Sequence, residues 1–462
     1  MTTRRQFLTS SLATGAATMM PVTMTQMGMA SAQGASYRAL VCLFFYGALD
    51  NFDTIIPYNQ SAYNEWATVR DPLLETYTDA AVAGTRERDN LLELTPVNAG
   101  DLGGNAYGLA PQMPELARIF NAGDASIVGG VGPLIRATTR QDIDDDIAQL
   151  PPKLFSHNDQ QSLWQTSSPE GARSGWGGRI ADAIYGGTRT IYSTISASSN
   201  PTFLVGDLQR SLEIRSPNVS PVAGTGEKYL GSTELAGLLR DHYAQLGIDH
   251  SNLFSRDYAA AQAGGVVSAN QLSELMGGTT EGESVEIDGN KLSEQFAIVA
   301  KMISLRGALG VDKQVFFVSM GGFDTHSDQA GRLPFLQSGF DAAIGSFYDW
   351  LVASGISSNV TTFTASDFGR TFKPNASGTD HGWAGHHFVI GGGVNGGRIF
   401  GDLVLPVDGH PLDYGRGRLI PSMSVDQYGA EMAKWLGVSE ASLPTVFPNY
   451  SNFDPNALPL FA

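Results

Sequence analysis

TTFTASDFGRTFKPNASGTDHGWAGHHFVIGGG, residues 361–393, is the stretch on which the fold turns. It opens on a short β-rich run from Val360 to Thr364 that ends at Asp367. A Gly/Pro/Asn loop follows, carrying Arg370, Asp380, His381, His386 and His387, and an apolar run then closes on Gly391–Gly393. Three of the chain's eight histidines fall between His381 and His387, next to Asp380 and downstream of Asp367. In an open α/β sheet, acids and imidazoles on a loop at a strand's carboxyl end are placed where ligands bind.

Working outward, the same pattern recurs. RALVCLFFY (38–46) is a continuous apolar run too short to span a membrane and suits a strand buried on both faces. It ends in a turn bearing Asp50 and Asp53. ASIVGGVG (125–132) reads as a second buried strand and Val315–Ser319 as a third, the latter ending at Gly321-Gly322-Phe323-Asp324-Thr325-His326. Helices are expected at Pro114–Asn121, from Ser156 through Trp164, from Ser174 through Ile184, at Ser232–Leu246, Lys291–Leu309 and Phe335–Ser354, and over 422–437 with Ser424 as N-cap. Strands alternating with helices at this spacing predict an α/β fold with a mostly parallel sheet. Residues 59–110 are polar and mixed, and 189–290 read as a candidate cap or insertion. The acidic turn at Asp142, Asp144, Asp145 and Asp146 lacks the ligand spacing of a calcium loop and reads as solvated surface.

Composition sets limits. The formal net charge of −17 argues against nucleic acid or an anionic membrane as partner. A small anionic substrate remains compatible, because a bound metal reverses the sign locally. Thr3-Arg4-Arg5-Gln6-Phe7-Leu8 is a twin-arginine pattern, and Ala30-Ser31-Ala32 an A-x-A cleavage site. The expectation is a signal peptide over 1–32, a domain over 33–462, a periplasmic or secreted location, and no integral membrane segment after cleavage. The single Cys42 permits no internal disulfide.

The candidate site residues follow from chemistry. Mixed carboxylate and imidazole sets suit a divalent metal, zinc or manganese before magnesium or calcium. The candidate ligands are Asp50, Asp324, His326, Asp367, Asp380, His381 and His387. In the adjacent pair His386-His387, backbone alternation allows one ligand and one structural partner, and His387 is taken as the ligand. Any one of these residues alone fits a loop cap or a surface hydrogen bond; the set, spread over several strand ends, points to metal. Ser156, at a helix start, is either an N-cap or a nucleophile. His157 beside it and Arg370 complete the catalytic candidates. Arg370 is either a clamp for tetrahedral oxygens or a surface ion pair. The glycine-rich run 391–397 has neither phosphate-loop pattern and reads as a tight loop.

The twin-arginine leader with FYGALDNFDTIIPY (45–58), FSHNDQQSLWQT (155–166), SGWGGRIAD (174–182), ASDFGRTFKPNASGTDHG (365–382) and HHFVIGGGVNGGRIFGD (386–402) resembles the DUF1501 family of exported bacterial proteins. That family is grouped with the alkaline phosphatase and sulfatase superfamily. The resemblance implies an alkaline phosphatase-like three-layer sandwich. It also implies hydrolysis of phosphate or sulfate esters with one or two metals and a Ser, Thr or formylglycine nucleophile at a helix N-terminus. By position, Asp50 resembles the metal-binding acid after the first strand, Ser156 the nucleophile, and Asp324 with His326 the later ligand pair. Phe368 departs from the pattern, since the superfamily typically has Asp-His where this chain has Asp367-Phe368. Either His381 substitutes or one metal site is lost. The sulfatase signature Cys/Ser-x-Pro-x-Arg is absent. The rival expectation is a non-catalytic envelope or binding protein that keeps the fold.

Overall fold

The Arg38–Phe45 strand lies between two parallel neighbours, Lys313–Met320 and Val360–Ser366, in the computed structural model. The model describes residues 37–77, 85–188, 190–199, 201–245, 252–407 and 409–461, and Arg38 onward forms one compact unit. The leader and cleavage site expected from the sequence lie outside the described residues. These three strands are the middle of a nine-stranded sheet. Its order from one edge is Arg398–Gly401, Ala125–Gly132, Gly385–Ile390, Val360–Ser366, Arg38–Phe45, Lys313–Met320, Thr194–Ser196 and Leu212–Glu213, with Met423–Ser424 also paired to Ala125–Gly132. All pairings are parallel except those of Gly385–Ile390, which is antiparallel to both neighbours.

Both faces of the central strand are buried, as its unbroken apolar run requires. Leu40, Cys42 and Phe44 join a core with Trp176, Phe203, Phe317, Phe363 and Tyr428, beneath the helices His157–Thr166, Trp176–Tyr185 and Val425–Leu436. On the opposite face Phe45 meets Phe323 and Phe340, each with ring centroids 4.9 Å away, and Phe340 belongs to the long helix Gln329–Ala353. Helices on both faces of a mostly parallel sheet make a three-layer α/β fold.

The expected strands and helices are found, with shifted limits. The Lys291–Leu309 helix is interrupted at Leu305, giving Lys291–Ser304 and a short Arg306–Leu309 turn. The helix expected from Phe335 begins earlier, at Gln329, and carries Pro334 within it. Ser424 caps Val425–Leu436 through a full capping box with Gln427. The acidic run after Thr139 forms a short capped helix, Arg140–Asp144. The stretch 189–290 supplies the last two strands at one side of the sheet, Thr194–Ser196 and the edge strand Leu212–Glu213, followed by the paired helices Thr233–Gln245 and Leu253–Gly277. The mixed region near its amino end holds the helix Gln60–Leu74 and a separate antiparallel sheet of Ile55–Pro57, Tyr107–Leu109 and Leu92–Glu93.

Register brings the loops together. Phe45 pairs with Met320 on one side and Ser366 on the other, so three strands end level and their loops emerge side by side. Gly47 sits there with φ +106°, and a Cβ on it would lie 2.4 Å from the backbone nitrogen of Asp324. Only glycine permits both that dihedral and that approach.

Candidate metal centre

Four side chains meet at those strand ends around Asp324 Oδ1. His326 Nε2 lies 3.1 Å from that oxygen, His381 Nε2 3.4 Å and His157 Nε2 3.5 Å. His326 Nε2 and His381 Nε2 are 2.8 Å apart. Ligand atoms of His157, Asp324 and His381 all fall within 4.8 Å of one another, and His326 flanks two of the three.

The remaining ring nitrogens fix what these four atoms are. His157 Nδ1 lies 2.5 Å from Asp367 Oδ2, His326 Nδ1 3.1 Å from Asp380 Oδ1, and His381 Nδ1 2.7 Å from the Phe155 carbonyl. Carboxylate and carbonyl oxygens only accept here, so each Nδ1 is assigned a proton, which leaves Nε2 as the atom that presents a lone pair whenever the ring is neutral. With the rings neutral, three lone pairs and a carboxylate oxygen face one another, a donor set that a shared cation would satisfy. His157 Nε2 is buried and has no hydrogen bond. Imidazoles held from behind by carboxylate or carbonyl groups are the usual outer shell of a metal-ligating histidine. The donor set, a carboxylate oxygen and imidazole nitrogens with neighbouring donors 2.8–3.5 Å apart, is of the kind that a divalent ion takes. The residues present therefore fit a divalent ion.

Electrostatics follow the same geometry. The hydrogen bond to Asp367 raises His157 above the ordinary imidazole range despite partial burial. Burial lowers His381, and the positive neighbours His157, Arg370 and His326 add to it. Burial works to raise Asp324, but the hydrogen bond and charge of Arg370, with His326 and His157, outweigh it and hold the carboxyl low.

The other candidates fall into distinct places. Asp367 is fully buried; its Oδ2 receives Gly47 N at 3.0 Å and Gln161 Nε2 at 3.2 Å besides His157, while its Oδ1 has no hydrogen bond. Asp380 also receives Asn375 Nδ2 at 2.9 Å, so it stands behind His326. Asp50 is not brought to the cluster: one oxygen takes Arg70 Nη2 at 2.5 Å and Gln329 Nε2 at 2.7 Å, and the other accepts from Phe52 N and Asp53 N. His387 is not brought there either. It is 2% exposed, packed against Trp164 and Tyr428, with Nδ1 3.3 Å from Thr364 Oγ1. Its neighbour His386 accepts from Gly130 N at 3.1 Å. Burial pushes His386 down to about 4 and His387 down to about 3.

Ser156 occupies the N-cap position of His157–Thr166, yet its hydroxyl does not cap the helix; it donates to Asp159 Oδ2 at 2.8 Å. Arg370 is buried rather than on the surface. It donates to Asp324 Oδ1 at 2.7 Å, to the Gly47 carbonyl at 3.3 Å, and to Thr379 through both Nε and Nη2. These contacts commit four of its five N–H groups. Phe368, in the place where histidine was expected, stacks on the cluster, its ring centroid 4.8 Å from His157 and 4.7 Å from His381. What sequence reasoning did not find is the buried support behind the site: Arg70, Arg86, Gln329 and Gln337. Asp53, three residues after Asp50 in a turn already marked as acidic, was the one signal of it.

The sequence profile of a family described as "Protein of unknown function (DUF1501)" matches residues 37–406. No curated protein matches the chain. Among solved structures, a PsFucS1 sulfatase from Pseudoalteromonas sp. is similar at 13% identity and a TM-score of 0.34, covering 90% of this chain and 70% of that one. A structure from work on glycosaminoglycan metabolism by Bacteroides thetaiotaomicron is similar at 11% identity and a TM-score of 0.33, covering 88% and 74%. At TM-scores this low the likeness identifies neither activity nor site.

Proposed function

The chain belongs to the DUF1501 family, and from that premise we propose that it is an exported, metal-dependent hydrolase of phosphate or sulfate esters. The observation that carries this reading is the convergence of three imidazole lone pairs on Asp324 Oδ1. In it, His157, Asp324 and His381 hold a divalent ion, zinc or manganese, with His326 beside them. When bound, such an ion polarises an ester oxygen and lowers the pKa of a water or alcohol near it. Asp367, Asp380 and the Phe155 carbonyl keep the three imidazoles turned the right way. Arg370 keeps Asp324 ionised and in place, and its last N–H is left for a substrate oxygen. Ser156, one residue from His157 and at the start of a ten-residue helix, is the nucleophile of this reading, passing its proton to Asp159.

Elemental analysis of the purified mature protein, with turnover of aryl phosphate and aryl sulfate esters, tests it. About one bound divalent ion is expected, and turnover that Ser156→Ala and Asp324→Ala each remove. A wild-type protein free of metal and inert with added zinc or manganese sinks the proposal. Turnover surviving Ser156→Ala removes the serine and leaves the metal.

One observation favours a second reading, a binding protein without turnover. Arg370 already places a positive charge 2.7 Å from the oxygen that an ion would take, so the cluster has an internal counter-charge. Metal bound with no ester turned over supports it.

A further inference from the structure

Behind the exposed cluster lies a sealed polar layer. Asp50 pairs with Arg70 at 2.5 Å and Asp53 with Arg86 at 2.6 Å, and all four side chains are fully buried. Tyr77, Gln112 and Gln337 complete the ring of hydrogen bonds. One residue joins this layer to the cluster. Gln329, fully buried at the first turn of Gln329–Ala353, donates from Nε2 to Asp50 Oδ2 at 2.7 Å and Asp53 Oδ2 at 3.0 Å. Its Oε1 accepts from Thr325 Oγ1 at 3.0 Å and Thr379 Oγ1 at 2.9 Å. The amide has only one workable orientation, since a flip would set its oxygen against two carboxylates.

The two threonines are the reason this matters. Thr325 stands between Asp324 and His326, and Thr379 immediately precedes Asp380 and His381. The two turns also touch through their backbones, Thr379 N donating to the Thr325 carbonyl at 3.0 Å and Gln329 N to the Ser377 carbonyl at 2.9 Å. Gly378 lets them close: a Cβ there would come 2.3 Å from the Thr325 carbonyl oxygen. Thr379 Oγ1 in turn accepts from Arg370 Nε at 3.2 Å.

We infer that Gln329 is a positioning residue that sets the two ligand-bearing turns, and Arg370 with them, against the buried Asp50–Arg70 and Asp53–Arg86 pairs. The inference rests on the metal reading above. It also gives Asp50 a part in the site without contact to the ion. Outer residues of this kind change metal affinity about 10–100-fold when removed.

The test compares Gln329→Met, Thr325→Val and Thr379→Val with Thr325→Ser and Thr379→Ser. Zinc affinity is read by chelator competition, and amide hydrogen exchange is followed at Thr379 and along Arg38–Phe45. Gln329→Met and both valine variants are expected to weaken zinc by about tenfold or more. The serine variants, which keep the hydroxyls, are expected to bind as wild type does. Exchange at Thr379 should quicken roughly tenfold in Gln329→Met while the central strand stays protected, separating a local loss from general unfolding. Wild-type zinc affinity in a Gln329→Met protein whose central strand is protected overturns the inference. If the wild type takes up neither zinc nor manganese, the metal reading fails. Gln329 is then judged on exchange alone, where unchanged protection at Thr379 overturns it and faster local exchange supports it.

Discussion

Four residues separate His381 from His386, yet the two lie in opposite environments. His381 ends a short strand paired with Arg370, its ring partly exposed and its Nε2 turned to Asp324. His386 and His387 lie within a strand of the central sheet, where His387 pairs with Val128 and faces Trp164 and Tyr428. A histidine in water-accessible polar company keeps a lone pair for an ion. One sealed among aromatics is forced neutral and fills space. Nearness along the chain therefore says little about shared chemistry, because a strand boundary falls between the two groups.

The comparison breaks most sharply at Asp324. On the proposed hydrolase reading, Asp324→Ala is expected to cut ester hydrolysis by about a thousandfold or more, with metal lost on elemental analysis. His387→Ala should do the reverse, costing about 2–4 kcal/mol in denaturant unfolding because it opens a cavity against Trp164 and Tyr428. Its zinc content per folded molecule should equal that of wild type. A metal-free His387→Ala protein that still folds would erase the distinction.

Asp380→Asn sharpens the contrast on the exposed side. It replaces the carboxylate behind His326, and zinc affinity should fall about 10–100-fold by chelator competition. A further effect is on pH. His386 and His387 titrate near 4 and 3 in the fold, against about 6.5 when unfolded. The unfolded chain therefore binds more protons in acid. The stability these rings contribute is present above about 6.5 and is lost as pH falls toward 4, at up to about 1.4 kcal/mol per pH unit for each ring. His386→Gln should flatten unfolding free energy against pH over that window, and an unchanged slope would contradict the burial of the ring.

Much of the sheet was legible because its strands are unbroken apolar runs. RALVCLFFY and ASIVGGVG announce strands buried on both faces, and the spacing between runs announces crossover helices. The short strands Thr194–Ser196 and Leu212–Glu213 escaped, having too few residues to show any period. The candidate site was legible as a set of residue types at strand ends, and Asp324, His326 and His381 do meet there. The parting of roles was not legible. His157 looks like a serine's neighbour in sequence and stands among the metal donors in space. Asp50 looks like a ligand and is held by Arg70 and Gln329. Gln329 carries no signal at all, since the sequence reading begins its helix only at Phe335.

The order of amino acids by itself determined where the long buried strands lie, that they run mostly parallel, and that acids and imidazoles gather beyond their carboxyl ends. Local hydrophobic period and turn chemistry suffice for that. Only the tertiary structure decided which nitrogen of each ring faces Asp324 and which carboxylates stand behind, because those assignments depend on hydrogen bonds between residues as far apart as His157 and Asp367. A ring's free lone pair is set by whatever holds its other side.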